Sequence, residues 1–168
     1  MTTAKEKRQA LRRMLNEPGG HVAPGTHDVI SALLVERFGF DLVHISGAGS
    51  HRAAGFPDMG LLTLTEQVAR ATLIADAVTL PVIADCETGH GNVVNTVRAV
   101  REFERSGVSG IHIEDQMTPK DPGEGAAFIS AQEFAGKIKA AVDTRVDPDF
   151  VIIARMDARN EPYEKRLE

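Results

Sequence analysis

The sequence predicts a parallel α/β fold. Three observations carry that expectation. Segments with strand and helix signatures alternate along the chain, the strand segments are short and apolar, and acidic or small polar residues follow most of them. Nearly unbroken apolar strands belong to a sheet covered on both faces. Strict alternation with helices makes such a sheet parallel, either doubly wound or closed into a barrel. Periodicity alone does not separate the two.

Lys5 to Leu15 reads as an opening helix, ended by Pro18-Gly19-Gly20. His21 to Ala23 reads as a short first strand, stopped by Pro24-Gly25. Asp28 to Phe38 has helical apolar spacing at Val29, Ile30, Leu33 and Leu34, and Gly39 stands where a glycine ends a helix. Asp41 to Ile45 is a second strand, and SGAGS (46–50) reads as the loop behind it. Thr65 to Val78 is a helix with Thr65 as its N-cap. Pro81 to Ala84 is a third strand, followed by the loop DCETGHGN (85–92). Val93 to Ser106 is a helix and Gly110 to Ile113 a fourth strand. Ser130 to Asp143 is a helix whose Ser130 and Glu133 are spaced as a capping box. Phe150 to Ala154 is a fifth strand, and the polar residues 161–168 build no further one.

Composition narrows the function classes. The 168 residues read as one domain, 1–168. Hydrophobic residues at 42% and charged residues at 26% match a globular chain rather than a disordered one. A net charge of -5 supplies no basic surface for a nucleic acid. The single cysteine, Cys86, excludes an internal disulfide. No apolar run reaches the roughly 18 residues that span a membrane, and no apolar core follows the basic N-terminus as in a signal peptide. The expectation is a soluble, cytoplasmic protein without a nucleic-acid or membrane partner.

The chemistry gathers behind the strands. Ser46, Gly47, Ala48 and later Asp58 follow the second strand, and Asp85 and Glu87 follow the third. Glu114, Asp115 and Gln116 follow the fourth, and Arg155 and Asp157 the fifth. One acid at a strand end is an ordinary helix cap or solvated loop residue. Four successive strands delivering acids or arginine to one rim point to a ligand, because parallel α/β folds bind at the carboxyl ends of their strands. Asp58, Asp85, Glu87 and Glu114 make an oxygen-rich acidic set suited to Mg2+. A metal there can hold two oxygens of a 2-oxo acid and stabilise an enolate. Arg155 suits a substrate carboxylate, and the small residues at 46–49 let backbone N–H groups approach another.

Competing motifs are weaker. GAGSHR (47–52) opens like a dinucleotide fingerprint, but Arg52 stands at the third glycine. Cys86, Glu87 and His90 fit no usual zinc spacing, and Cys86 reads as a small buried hydrophobe. His44 and His112 lie in strands, either as hydrogen-bonded core histidines or as substrate contacts.

The stretches APGTHDVISA, FDLVHISGAGS, AGFPDMGLLTLTE, PVIADCETGHGN, GIHIEDQ and FVIIARMDAR run in order from Val22 to Arg159. With them the chain resembles the isocitrate lyase and phosphoenolpyruvate mutase superfamily, in particular methylisocitrate lyase and carboxyphosphonoenolpyruvate mutase-like enzymes. The resemblance implies a (β/α)8 TIM-type barrel, of which this chain holds about five βα units as the N-terminal portion, and a homo-oligomer, a tetramer in the family. It implies Mg2+, or Mn2+, at Asp85, with Asp58, Glu87 and Glu114 reached mainly through water. It implies substrate binding by the backbone of Ser46, Gly47 and Ala48 and by Arg155. His112 is a further candidate substrate contact, and Asp58, Glu114, Arg155 and Lys120 are the expected catalytic set.

The chain departs from the family at Glu87, where aspartate is usual, at His44, where an aromatic residue is common, and at Met156, where threonine is frequent. Lyases of the family carry a Lys-(Lys/Arg)-Cys-Gly-His loop, whereas Lys120 here is followed by Asp-Pro-Gly-Glu-Gly. Branches without that cysteine include mutases, phosphonopyruvate hydrolases and oxaloacetate decarboxylases. The expected activity is Mg2+-dependent cleavage of a C–C bond in a small 2-oxo or 2-hydroxy dicarboxylic acid through an enolate. The alternatives are P–C chemistry of the phosphonomutase or phosphonopyruvate hydrolase type, and a non-catalytic fragment or assembly module.

Overall fold

The computed structural model describes residues 2–120 and 127–157. Five strands form one parallel sheet: β1 (Gly25–Thr26), β2 (Val43–Ile45), β3 (Val82–Asp85), β4 (Gly110–Glu114) and β5 (Val151–Arg155). Their spatial order is their sequence order, β1-β2-β3-β4-β5. A doubly wound sheet reverses its strand order at a switch point. This one never does, so it winds as the wall of a barrel and separates the two architectures that periodicity left open. Six helices accompany the strands: α1 (Ala4–Asn16), α2 (Val29–Arg37), α3 (Gly47–Ala53), α4 (Leu64–Ala77), α5 (Val93–Arg105) and α6 (Ala131–Thr144).

Strand side chains alternate between two faces. Val43, Ile45, Val82, Ala84, Ile111, Ile113 and the partly buried Ile152 pack on the helix side, with Ala71, Ile74, Ala99, Val100 and Phe103. Ile83, Val151 and Ile153 look the other way and meet Leu11 of α1 and Leu42. The same alternation puts His44, Asp85, His112, Glu114 and Arg155 on that inner face, so their common orientation follows from the pleat. The Asp85↔His112 and Glu114↔Arg155 registers bring them side by side.

α1 lies against the end of the sheet where the strands begin. Lys7 Nζ donates to the carbonyls of Ala75 and Val78, 2.6 Å each, at the C-terminal end of α4. Arg8 donates to the carbonyls of Val108 and Glu104 and pairs with Asp147 at 3.0 Å. Leu11 of the same helix is fully buried, in a cluster with Leu42, Ile83 and Val151.

Several boundaries differ from those expected. The first strand is Gly25–Thr26, past the proline expected to stop it, because the hydrogen bonds of β2 run to Pro24 and Thr26: His44 N donates to Pro24 O and Ser46 N to Thr26 O. Residues 21–23 form no strand. The SGAGS loop is the start of α3, N-capped by Ser46, whose hydroxyl accepts from Gly49 N–H at 3.1 Å. α4 is capped by Thr63, which forms a full capping box with Glu66; Thr65 lies inside the helix. Ser130 caps α6 by accepting from Glu133 N–H, and the return bond of a capping box is not made. Gly39 does end α2, at φ 80°. Residues 161–168 and the segment 121–125 after Lys120 lie outside the described residues.

Candidate active site

The expected acids converge at the carboxyl end of the sheet. Asp85 and Glu114 end β3 and β4, and Glu87 follows Asp85 in a left-handed backbone conformation, φ 53°. Asp85 Oδ1 accepts from Glu87 N–H at 2.8 Å and Oδ2 from Gly47 N–H at 3.2 Å. Lys120 Nζ reaches three carboxylates at once: Asp58 at 2.9 Å, Glu114 at 3.2 Å and Glu87. Arg155 grips Asp157 with two parallel bonds of 2.8 Å and turns its remaining nitrogen toward Glu114 at 3.2 Å and Asp85 at 3.6 Å. Asp157 is itself fixed by Gln116 Nε2 at 2.8 Å, and its N–H donates to Asp115 Oδ1 at 2.9 Å. Asp115, Gln116 and Asp157 therefore orient Arg155. A cavity of about 260 Å³, lined in part by Leu62, Glu87, Thr88, His90 and Lys120, adjoins the cluster.

Crowding carboxylates out of water shifts their protons. Burial raises Asp85 above the usual carboxylate range, against the pull of the Glu87 N–H, Lys120 and Arg155. Burial likewise pushes Glu114 up to about 7, although Lys120 opposes it. Burial works against the Lys120 ammonium, but Glu87 and Glu114 outweigh it and hold its pKa above the ordinary lysine value. His112 is pushed down to about 4 by burial and by Arg155.

The donor chemistry fits a hard divalent cation. Asp58 Oδ1, Glu87 Oε2 and both oxygens of Glu114 are buried without an aligned hydrogen-bond donor among the described residues. Among the described residues, the cations Lys120 and Arg155 compensate them. Ligand atoms of His51, Asp58 and Glu87 lie within 4.8 Å of one another, a grouping able to hold a metal. The ring of His51 has other work. Its Nε2 accepts from Leu62 N–H at 3.1 Å, which puts the hydrogen on Nδ1, 2.9 Å from Gly47 O. That leaves carboxylate oxygens as donors, the set that suits Mg2+.

Of the three backbone donors expected at 46–48, Ser46 N is committed to Thr26 O and Gly47 N to Asp85. Ala48 lies in the first turn of α3. His112 faces the cluster with Nδ1 3.6 Å from Asp85, while its Nε2 meets His44. Two site residues escaped the sequence reading. His51 clamps α3 to Leu62, and Gln67 donates to Glu87 Oε1 at 3.2 Å. Gln67 carried a usable signal: it is the one polar residue in the stripe Leu64, Gln67, Ala71, Ile74.

Known proteins resemble this chain in sequence and fold. The model of the phosphoenolpyruvate phosphomutase family matches residues 11–168. A 2,3-dimethylmalate lyase of Eubacterium barkeri is 52% identical over 152 residues, covering 89% of this chain and 53% of that protein. An isocitrate lyase of Haloferax volcanii is 43% identical, over 91% of this chain and 45% of its own. A solved 2,3-dimethylmalate lyase superposes with TM-score 0.89 at 35% identity, over 99% of this chain and 57% of that one. A phosphonopyruvate hydrolase in complex with oxalate and Mg2+ does so with TM-score 0.89 at 36% identity, over the same shares. The chain spans about half the length of these relatives. No helix among the described residues is long and apolar enough to cross a membrane. Five parallel strands in unbroken order, acids on the inner rim and a family match over most of the sequence lead to one conclusion: the chain belongs to the phosphoenolpyruvate mutase/isocitrate lyase superfamily.

Proposed function

We propose that this chain carries the metal-binding half of a Mg2+-dependent lyase or decarboxylase that cleaves a C–C bond in a small 2-oxo or 2-hydroxy dicarboxylic acid through an enolate. The observation that carries this reading is the convergence of Asp58, Asp85, Glu87 and Glu114 on one point of the rim with Lys120 and Arg155 among them. Asp85 would hold the metal, with Asp58, Glu87 and Glu114 oriented around its water shell. When bound, Mg2+ supplies Lewis-acid stabilisation of the negative charge that develops on the substrate oxygen. Arg155, held by Asp157 with its remaining nitrogen turned toward Glu114 and Asp85, would orient a substrate carboxylate. Lys120 would balance the anionic cluster and stand beside the reacting carbon. The 52% identity to a 2,3-dimethylmalate lyase supports C–C rather than P–C cleavage.

P–C chemistry remains the second reading. It is favoured by the Asp-Pro-Gly sequence after Lys120, where C–C lyases of the family carry a cysteine, and by the fit to phosphonopyruvate hydrolase.

Thermal unfolding with Mg2+, oxalate or both tests the site. A ligand at one hundred times its dissociation constant adds about 2.7 kcal/mol to the folded state. A rise that needs both components, and that is lost in Asp85→Ala, is expected. No response in the unmutated chain would remove the catalytic reading and leave a non-catalytic assembly role. Product analysis with oxaloacetate, 2,3-dimethylmalate and phosphonopyruvate then separates C–C from P–C cleavage.

A further inference from the structure

Lysine is out of place on the buried face of an outer helix. The face that α6 turns to the core reads Phe134, Lys137, Ile138 and Ala141, and Lys137 is 4% exposed. A lysine at such a position ordinarily runs along the apolar surface and returns its head to water. Lys137 instead turns inward, and its Nζ donates to the carbonyl oxygen of Thr88 at 3.1 Å. No backbone N–H among the described residues donates to that oxygen. Leucine or methionine would fill similar space without desolvating an ammonium, so packing alone does not account for the residue.

The acceptor lies in the turn that carries Glu87. Between β3 and α5 the backbone is left-handed at Glu87 (φ 53°), Gly89 (φ 84°), His90 (φ 60°) and Gly91 (φ 137°). Glu87 and His90 are not glycine, and such a conformation persists only where its surroundings hold it. On the sheet side, Glu87 N–H donates to Asp85 Oδ1 at 2.8 Å, Glu114 N–H to Glu87 O at 2.9 Å and Gly89 N–H to Cys86 O at 2.9 Å. On the helix side, Gln67 of α4 holds the Glu87 carboxylate at 3.2 Å, and Lys137 of α6 holds the next carbonyl. The Thr88 hydroxyl also meets that of Thr118, two residues before Lys120. Thr88 thus joins α6 to both Glu87 and the segment bearing Lys120.

We propose that Lys137 is a positioning residue: its bond to Thr88 O fixes the left-handed turn, and so sets the Glu87 carboxylate and Lys120 around the proposed metal site. This rests on the functional reading above and deepens it. Without the donor, the Thr88 carbonyl is left unpaired and draws in water. The turn then relaxes from its left-handed geometry, and Glu87 moves off the point where Asp58, Asp85 and Glu114 meet.

Calorimetric titration with Mg2+ and oxalate, together with amide exchange of the metal-free chain, tests the assignment. Lys137→Met keeps the unbranched stem and removes the donor, whereas Lys137→Arg keeps one. Lys137→Met is expected to weaken oxalate binding in the presence of Mg2+ at least tenfold. It should also speed exchange at Gly89 and Glu114, whose N–H groups close the turn. Lys137→Arg is expected to restore most of both. Leu11→Ala, destabilised at the far end of the sheet, is the control for stability alone. A loss of affinity no larger than that of Leu11→Ala makes Lys137 structural and overturns the proposal, as does an arginine variant as weak as the methionine one. If Lys137→Met does not fold, Lys137→Gln, shorter than lysine, withdraws the donor from Thr88 O and reads the same way. An unmutated chain that binds Mg2+ and oxalate beside a Lys137→Met chain that binds them equally well overturns this proposal alone. If the unmutated chain binds neither, the functional reading falls, and exchange still tests the tether: unchanged rates at Gly89 and Glu114 in Lys137→Met overturn it.

Discussion

A β-carbon at position 47 would lie 2.5 Å from both Asp85 Oδ2 and Glu87 Oε1. Those oxygens are buried, so neither side chain has room to retreat. Gly47→Ala is expected to cost about 1–3 kcal/mol in overpacking and to remove the joint response to Mg2+ and oxalate. Urea unfolding and calorimetry check the two effects, and an alanine variant that binds normally would show that the contact is not tight. Glu114 offers a second test, because its carboxyl titrates at about 7 in the folded protein against 4.5 unfolded. The folded state then holds the proton more tightly, so stability is present at low pH and is lost as pH rises through 7. The loss is on the order of 3 kcal/mol. His112 acts in the opposite direction: its folded value of about 4 makes stability grow as pH rises from 4 to 6.5. Metal-free Glu114→Gln should therefore gain stability with pH more steeply than the unmutated chain. Parallel profiles from urea unfolding between pH 4.5 and 7.5 would contradict the assignment. The acids were legible in the sequence because each stands just behind an apolar strand. His51 was not, because its role depends on Leu62, eleven residues on, folding back to donate to its ring.

The elements that were legible are those whose packing agrees with their local pattern. β2 to β5 lie within two residues of the expected runs, since the Val and Ile there are strand-forming and, in β2 to β4, buried. β1 was displaced because its two residues, glycine and threonine, are less apolar than Val22 and Ala23 before them; pairing with β2 decides the strand, not composition. α3 was read as a loop because glycine and serine are poor helix formers. The Ser46 cap and the buried His51 override that preference. α4 offered two threonines, and only Thr63 has a glutamate three residues on to close the box. Thr63→Ala is expected to cost about 1 kcal/mol, read as a lowered urea midpoint. α1 makes a sharper element-level test. Leu11 is fully buried against Leu42, Ile83 and Val151, at the end of the sheet away from the acids. Leu11→Ala should lose about 2–5 kcal/mol while the affinity for oxalate with Mg2+ stays the same. A parallel fall in affinity would mean that the two ends of the sheet are coupled.

Across the whole molecule, burial is uneven, and stability should follow it. β3 and β4 are buried at every position and paired on both sides. β1 has two residues and, among the described residues, pairs only with β2, and β5 is partly exposed along most of its length. Amide exchange should therefore be slowest in β3 and β4 and fast at β1. The acidic rim adds a ligand-dependent layer. Without a cation, buried carboxylates repel one another and are restrained mainly by Lys120 and Arg155, a strained arrangement at the ends of the best-protected strands. If the proposed site binds them, Mg2+ with oxalate would relieve that repulsion where Asp85 sits. The amides of Gly47 and Glu87, both bonded to Asp85, should then slow, and those of α1 at the far end should not. Slowing confined to these loops would mean the ligand acts locally on a sheet already formed. Slowing throughout β1 to β5 would mean that ligand binding completes the folding of the sheet. No slowing at Gly47 and Glu87 would remove Asp85 from the binding site.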